Sequence, residues 1–110
     1  MAAEDPLEIT PEELAALRLR QPDLAVLDVR EPWEFAICAL ADSHPIPMGE
    51  VPAHLDSLPP GAPLVVVCHH GGRSLQVARW LRAQGVARAV SLAGGIDLWA
   101  RTIDPSLPRY

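Results

Sequence analysis

The sequence has 110 residues, room for one hydrophobic core and too few for two domains. Hydrophobic residues make up 49% of it, which excludes a disordered chain, and a net charge of −5 argues against nucleic acid as a partner. Two cysteines do not make a disulfide framework. Residues Met1 to Pro6 lack the basic and apolar regions of a secretory leader, and no apolar run approaches the roughly 20 residues of a membrane span. The expectation is a soluble, reduced, cytoplasmic domain that engages neither nucleic acid nor membrane.

In chain order, Leu7-Glu8-Ile9 reads as a short strand. Thr10-Pro11-Glu12-Glu13 then supplies an N-cap, proline at N1 and glutamate at N3, a strong helix start, with Leu14, Leu17 and Leu19 filling the helix up to Gln21-Pro22. Leu24 to Val29 is a second strand, and Glu31-Pro32-Trp33-Glu34-Phe35 opens a short helix. Within residues 39–47 only His44-Pro45-Ile46 suggests a strand. Gly49 to Leu58 reads as a helix with Val51 and Leu55 inward, and Pro59-Pro60-Gly61 is a turn. Leu64 to Val67 is a β-branched, fully apolar strand of buried type, followed by a six-residue loop, Cys68 to Arg73, and a helix from Ser74 to Gln84 that Gly85 terminates. Ala89 to Leu92 is a further strand, Gly94-Gly95 leads into a last helix through Trp99, and residues 104–110 should be extended. Strands alternating with helices at this spacing imply a mainly parallel sheet flanked by helices on both faces.

The loop carries the chemical signal. Cys68 stands at the carboxyl end of a strand and before a helix, where open α/β sheets bind ligands and where amides and the helix dipole favour anions, thiolate sulfur included. Gly71 and Gly72 supply the backbone freedom to wrap amides around one sulfur. Arg73 is positioned to bind an anionic donor or to hold the loop. His69 and His70 either add positive charge toward an anionic donor or are exposed residues without a role. Consecutive loop residues rarely aim at one ion and no zinc spacing follows, so no metal is expected. Asp28 and Arg30 lie two apart at a strand end and share a face, with Arg30 pairing to Asp28 or Glu34. Cys38 reads as a packing residue, and Trp33, Trp80 and Trp99 as packing anchors.

Three stretches in order resemble one family. Leu27-Asp28-Val29-Arg30-Glu31-Pro32-Trp33-Glu34-Phe35 resembles the first signature of rhodanese-like domains, residues 68–74 their active-site loop, and Leu92-Ala93-Gly94-Gly95-Ile96-Asp97-Leu98-Trp99 their C-terminal signature. The tail from Asp104 to Tyr110 is similar to a branch that includes stand-alone bacterial members and the domain fused to enzymes that adenylate sulfur-carrier proteins. One departure is Asp42, where the family usually places glycine.

The resemblance implies a three-layer rhodanese-like fold over one domain, with a core from about residue 7 to 101 and a tail over 102–110. It implies a sulfurtransferase without cofactor. In it the Cys68 thiolate takes a sulfane sulfur from a small donor (thiosulfate or a persulfide) and passes it as a persulfide to cyanide or a thiol. His69, His70, Gly71, Gly72, Arg73 and Ser74 form the substrate-binding set, with the amides of residues 69–73 around the sulfur and Asp28 and Arg30 in support. Alternatives are a protein-to-protein sulfur relay, with a protein acceptor, and a non-catalytic binding module. Cysteine-dependent phosphatases and arsenate reductases fit less well. The phosphatase loop has five residues between Cys and Arg, and here four separate Cys68 from Arg73.

Overall fold

A computed structural model describes residues 6–110, so Met1 to Asp5, on which the leader reading rests, lie outside it. Five strands, β1 (Glu8–Ile9), β2 (Val26–Asp28), β3 (His44–Pro45), β4 (Leu64–Val67) and β5 (Ala89–Leu92), form one sheet in the order β1-β5-β4-β2-β3. Every pairing is parallel, with Val26 opposite Val65 and Val65 opposite Val90. The helices are α1 (Pro11–Arg20), α2 (Pro32–Ile37), α3 (Gly72–Ala83) and α4 (Gly95–Thr102). None of the helices described is long and apolar enough to cross a membrane.

Strand alternation divides the core in two. Val65 and Val67 face a cluster with Leu14 of α1 and Ile96 and Trp99 of α4, whereas Leu64 and Val66 face one with Val77, Ala78 and Leu81 of α3. Cys68 keeps the parity of Leu64 and Val66 and so emerges on the α3 face, at the carboxyl end of the central strand. The sheet is covered on both faces, which is why β2, β4 and β5 are buried at every position and β4 is apolar throughout rather than alternating.

Several local expectations are met. Thr10 and Glu13 exchange capping bonds of 3.1 and 2.8 Å at the start of α1, and Gly85 takes a left-handed φ of +94° after α3. The edge position of β3 accommodates Pro45, which has no amide to offer a further strand.

Others need correction. The segment read as a helix from Gly49 is a run of 3-10 turns over Met48–Ser57, because Pro52 inside it has no N–H and its ring obstructs an α-helical carbonyl. Val51 is buried there as expected. Leu19 is 86% exposed: five residues on from buried Leu14, it is turned away by about 140° around α1. Trp33 is 62% exposed and is no core anchor, while its neighbour Glu34 is buried, an inversion of the usual rule. The tail is not extended throughout. Asp104 accepts from the Ser106 and Leu107 amides to make a turn, and Leu107 and Tyr110 return to the α1–α4 cluster.

Asp42, standing where glycine is usual, has φ of +60°. Aspartate is among the few residues that enter this region, at a cost glycine does not carry. Asp42→Gly is therefore expected to stabilise the fold by about 0.5–1 kcal/mol. Thermal melts would show a rise of a few degrees, and an unchanged or lower midpoint would contradict the strain.

Candidate active site

Cys68 is only 1% exposed, and its sulfur is held by the chain immediately after it. The amides of Gly71 and Ser74 donate to Sγ at 3.1 and 3.2 Å, and the thiol donates to the Ser74 hydroxyl at 3.3 Å. Ser74 Oγ also lies 2.8 Å from Ser91 Oγ, so the two buried hydroxyls form a chain ending at the sulfur. The loop closes this tightly because Gly71 takes φ of +103° as the cap of α3. A side chain at Gly71 would also approach the Gly94 amide to 3.1 Å, whereas one at Gly72 would meet open space. Of the two glycines, the geometry requires Gly71.

The expectation that the amides of residues 69–73 surround the sulfur is corrected in detail. Gly71 alone of that set reaches Sγ, joined by Ser74 from the next turn. The amides of His70, Gly72 and Arg73 have no partner among the described residues, as expected of the free first turn of a helix.

The loop's carbonyls are held from behind. Ile96 N donates to Cys68 O at 2.9 Å and Asp97 N to His69 O at 3.0 Å, so the first turn of α4 satisfies the strand-end carbonyls as it satisfies its own orphan donors. Two backbones can approach this closely because residue 95 is glycine. A Cβ there would stand 2.4 Å from His69 O and 2.5 Å from Cys68 O, at φ of +62°.

Arg73 and Arg30 belong to one buried charge network. Arg73 pairs with both carboxylate oxygens of Glu34, at 2.7 and 2.9 Å, instead of reaching toward the sulfur. Arg30, 1% exposed, takes Asp28 through Nε and Nη2 at 2.9 and 2.7 Å. It also donates to Cys38 O, Glu34 O and the Tyr110 hydroxyl. Tyr110 in turn donates to Glu34 Oε2 at 2.7 Å. Two carboxylates and two guanidiniums thus balance. Of the two partners expected for Arg30, the carboxylate of Asp28 is taken, and that of Glu34 serves Arg73. Burial opposes the charge on Arg30, yet its bonds to Asp28 and Tyr110 hold its pKa above the ordinary value. Hydrogen bonds from Arg73 outweigh burial and depress Glu34 to about 2, and burial is the main reason that Tyr110 is pushed up to about 12.

Sequence reasoning named Glu34 only as a possible partner of Arg30 and gave Tyr110 no role. The pairing of Glu34 with Arg73 was not foreseen, nor was its place as N3 of a capping box, in which its side chain accepts from Glu31 N at 3.0 Å. Tyr110 was visible only as the end of a tail.

His69 is half-buried and stacks on Tyr110, with centroids 3.8 Å apart and planes 9° apart, and on exposed His70 at 3.8 Å. Burial and the neighbouring His70 lower its pKa. His69, His70 and Asp97 each offer a ligand atom within 4.8 Å of the others. Asp97, however, already accepts from Arg101 at 3.1 Å and Arg109 at 3.2 Å, so its charge is engaged by two guanidiniums. Its chemistry is that of an ion-pair cluster. Cys38 is buried in the α1–α4 cluster, and Cys68 in the α3 cluster across the sheet; both are free thiols. A disulfide between them is not built into this fold.

Two expectations follow. Gly95→Ala forces the α4 turn away from the loop carbonyls and should cost about 2 kcal/mol or more, with loss of the loop's order. A melt within a degree of the parent would contradict that contact. Glu34, ordinarily near 4.5 and held at about 2 here, contributes stability fully present above pH 4.5 and lost as pH falls toward 2, about 3 kcal/mol in all. Denaturant titrations between pH 5 and 2.5 should show a shallower acid decline for Glu34→Gln than for the parent, and parallel declines would refute the assignment.

A cysteine cradled by main-chain amides between two helix N-termini on a parallel sheet has known counterparts. The model of the rhodanese-like domain matches residues 10–102. The thiosulfate sulfurtransferase GlpE of Pseudomonas aeruginosa (strain LESB58) is 37% identical over 98 residues, 89% of this chain and 86% of that protein. A chloroplastic rhodanese-like/PpiC domain-containing protein 12 of Arabidopsis thaliana is 37% identical over 89 residues, and there the matched part of this chain spans only 30% of the relative. Among solved structures, a rhodanese-like domain protein from Staphylococcus aureus superposes with a TM-score of 0.79 at 31% identity, over 94% of this chain and 97% of that one. By the match over most of its length and the agreement in fold, the chain belongs to the rhodanese-like domain family.

Proposed function

We propose that this protein is a sulfurtransferase that carries a sulfane sulfur as a persulfide on Cys68, taken from thiosulfate or a small persulfide. The observation that carries the reading is the set of donors on one buried sulfur: the amides of Gly71 and Ser74, with the Ser74 hydroxyl beside them. A hydrogen bond to a charged acceptor contributes about 1.5–3 kcal/mol and one to a neutral acceptor about 0.5–1.5, so these donors hold most strongly a sulfur that carries negative charge as it attacks the donor and as it leaves to the acceptor. On deprotonation the Ser74 hydroxyl turns and donates to Sγ while Ser91 donates to Ser74, and no group in the chain is left unsatisfied. A sulfurtransferase role is supported as well by the near-full-length relative named for that activity.

The first half-reaction forms a bond between Cys68 Sγ and the outer sulfur of thiosulfate. The sulfur–sulfur bond of the donor breaks, and sulfite leaves with the electron pair. The persulfide's outer sulfur then sits over the amides of His70, Gly72 and Arg73, which have no other partner among the described residues. In the second half-reaction an acceptor nucleophile (cyanide or a thiol) attacks the outer sulfur, and the Cys68 thiolate leaves with its electrons. Two transfers through one covalent intermediate imply ping-pong kinetics.

Within this reading Ser74 and the loop amides contact the transferred sulfur, and His70 stands exposed at the rim toward the donor. Arg73 acts mainly through Glu34, fixing the first turn of α3, and its positive charge lies near the sulfur. Asp28 and Arg30 support that same turn from beneath. The free thiols suit a reducing compartment, with the cytoplasm as the expected one. A phosphatase or arsenate reductase would need Arg73 to embrace a tetrahedral oxyanion, and this guanidinium is spent on Glu34. A protein acceptor in place of a small thiol gives a relay, which would show an intact persulfide with weak thiocyanate formation.

Incubation with thiosulfate, removal of excess donor and intact-mass measurement should show a gain of one sulfur atom that mapping places on Cys68. Cyanide should remove it as thiocyanate, and Cys68→Ala should neither gain sulfur nor turn over while melting like the parent. No mass gain across several sulfane donors would overturn the reading, as would activity retained in Cys68→Ala.

A further inference from the structure

We propose that Tyr110 is a positioning residue whose ring and hydroxyl clamp both ends of the Cys68 loop at once. The inference rests on the reading above for its kinetic consequence and on geometry alone for the clamp.

The loop has two sides. One leaves Cys68 through His69, and the other enters α3 through Arg73 and Ser74. The Tyr110 ring lies flat against the His69 imidazole at 3.8 Å, holding the first side. Its hydroxyl donates to Glu34 Oε2 at 2.7 Å, and Glu34 is the carboxylate that grips Arg73 on the second side. The same hydroxyl accepts from Arg30 Nη1 at 3.0 Å, which anchors the ring from below. Trp33 packs edge-on against the ring, with centroids 5.8 Å apart and planes at 75°. Among the ring contacts and hydrogen bonds of the described residues, those of Tyr110 join His69 to the Glu34–Arg73 pair.

Such a clamp matters because the sulfur's ligands are main-chain groups. A side chain in the wrong rotamer can recover, but amides of residues 71 and 74 reach Sγ only while the whole loop holds its curvature. The loop carbonyls are fixed by α4, which restrains the strand end, and the entry into α3 is held by the Glu34–Arg73 pair together with the Ser74–Ser91 contact. Tyr110 joins these two restraints across the tail. The ring holds the His69 side and the hydroxyl the Glu34–Arg73 side, where Glu34 keeps both Arg73 bonds if the hydroxyl is removed, so the ring carries the larger share.

The groups facing His69 are His70 beside it, Tyr110 over it, and Asp97 and Glu34 nearby. Loss of the Tyr110 ring would hydrate the imidazole and raise its titration midpoint, an effect that a loss of global stability does not produce.

The test compares Tyr110→Phe, Tyr110→Leu and, as a stability control, Val86→Ala, which removes packing beyond the far end of α3. Each is measured by thermal melt, by NMR titration of the His69 imidazole, and by steady-state transfer from thiosulfate to cyanide. Expected are a rise in the His69 midpoint and a fall of about tenfold in kcat/KM, mostly in kcat, for Tyr110→Leu. Tyr110→Phe should keep the parental His69 midpoint and lose about threefold in kcat/KM, between the parent and Tyr110→Leu, and Val86→Ala should keep both parental kinetics and midpoint. If Tyr110→Leu does not fold, Tyr110→Met, which fills the space without a flat face, takes its place. An unmoved His69 midpoint, or kinetics that fall equally in Val86→Ala, would overturn the clamp. A wild-type protein that takes up no sulfur overturns the sulfurtransferase reading instead, and a midpoint that still rises in Tyr110→Leu then supports the clamp on its own.

Discussion

A guanidinium that cannot be deprotonated, placed where almost no water reaches it, has to find acceptors on every side. Arg30 meets that demand by drawing the end of β2, the carbonyls of Glu34 and Cys38 and the hydroxyl of Tyr110 around itself. Breaking one member of such a network leaves an uncompensated buried charge, which costs far more than the net worth of the pair. The consequence is architectural. Helix α2, the connection after it and the tail are tied to one point beneath the active-site loop, and Glu34 extends that tie to the first turn of α3.

Above this network, the Cys68 sulfur is served mainly by groups that every residue owns. Gly71 N, Ser74 N and one hydroxyl hold it, and Ile96 N and Asp97 N hold the carbonyls that precede them. The side chains of the loop therefore shape and secure the cradle more than they form it. Arg73 illustrates the division: it follows the sequence motif of an anion binder, yet both its Nη atoms are engaged by a carboxylate from α2.

The parallel sheet, its covered faces and the site at the carboxyl end of β4 were legible from the sequence. Strand periodicity, capping residues and the Cys68 loop all encode local rules. What escaped reading was decided by tertiary partners. Glu34 buries its charge because Arg73 arrives from 39 positions away, and exposed Trp33 is displaced from the core by that burial. Tyr110 reaches Glu34 across 76 positions, a pairing without local signature. The run from Met48 failed for a local reason instead, since a single internal proline converts an apparent α-helical pattern into 3-10 turns. Asp42 shows the reverse case, a residue type foreign to the usual pattern that still adopts the left-handed backbone of the turn.

Parity along β4 decides what kind of thiol this protein possesses. Leu64, Val66 and Cys68 point one way and Val65 and Val67 the other, so the cysteine inherits its direction from an arithmetic of twos. Removal of one valine from the run would leave composition and hydrophobicity almost unaltered. It would also turn the sulfur through the sheet, away from the amides of α3 and into the oil beneath α1 and α4, where Cys38 already resides as an ordinary packing group. The surroundings of this sulfur are thus as much a matter of counting residues in a strand as of choosing the residue that ends it.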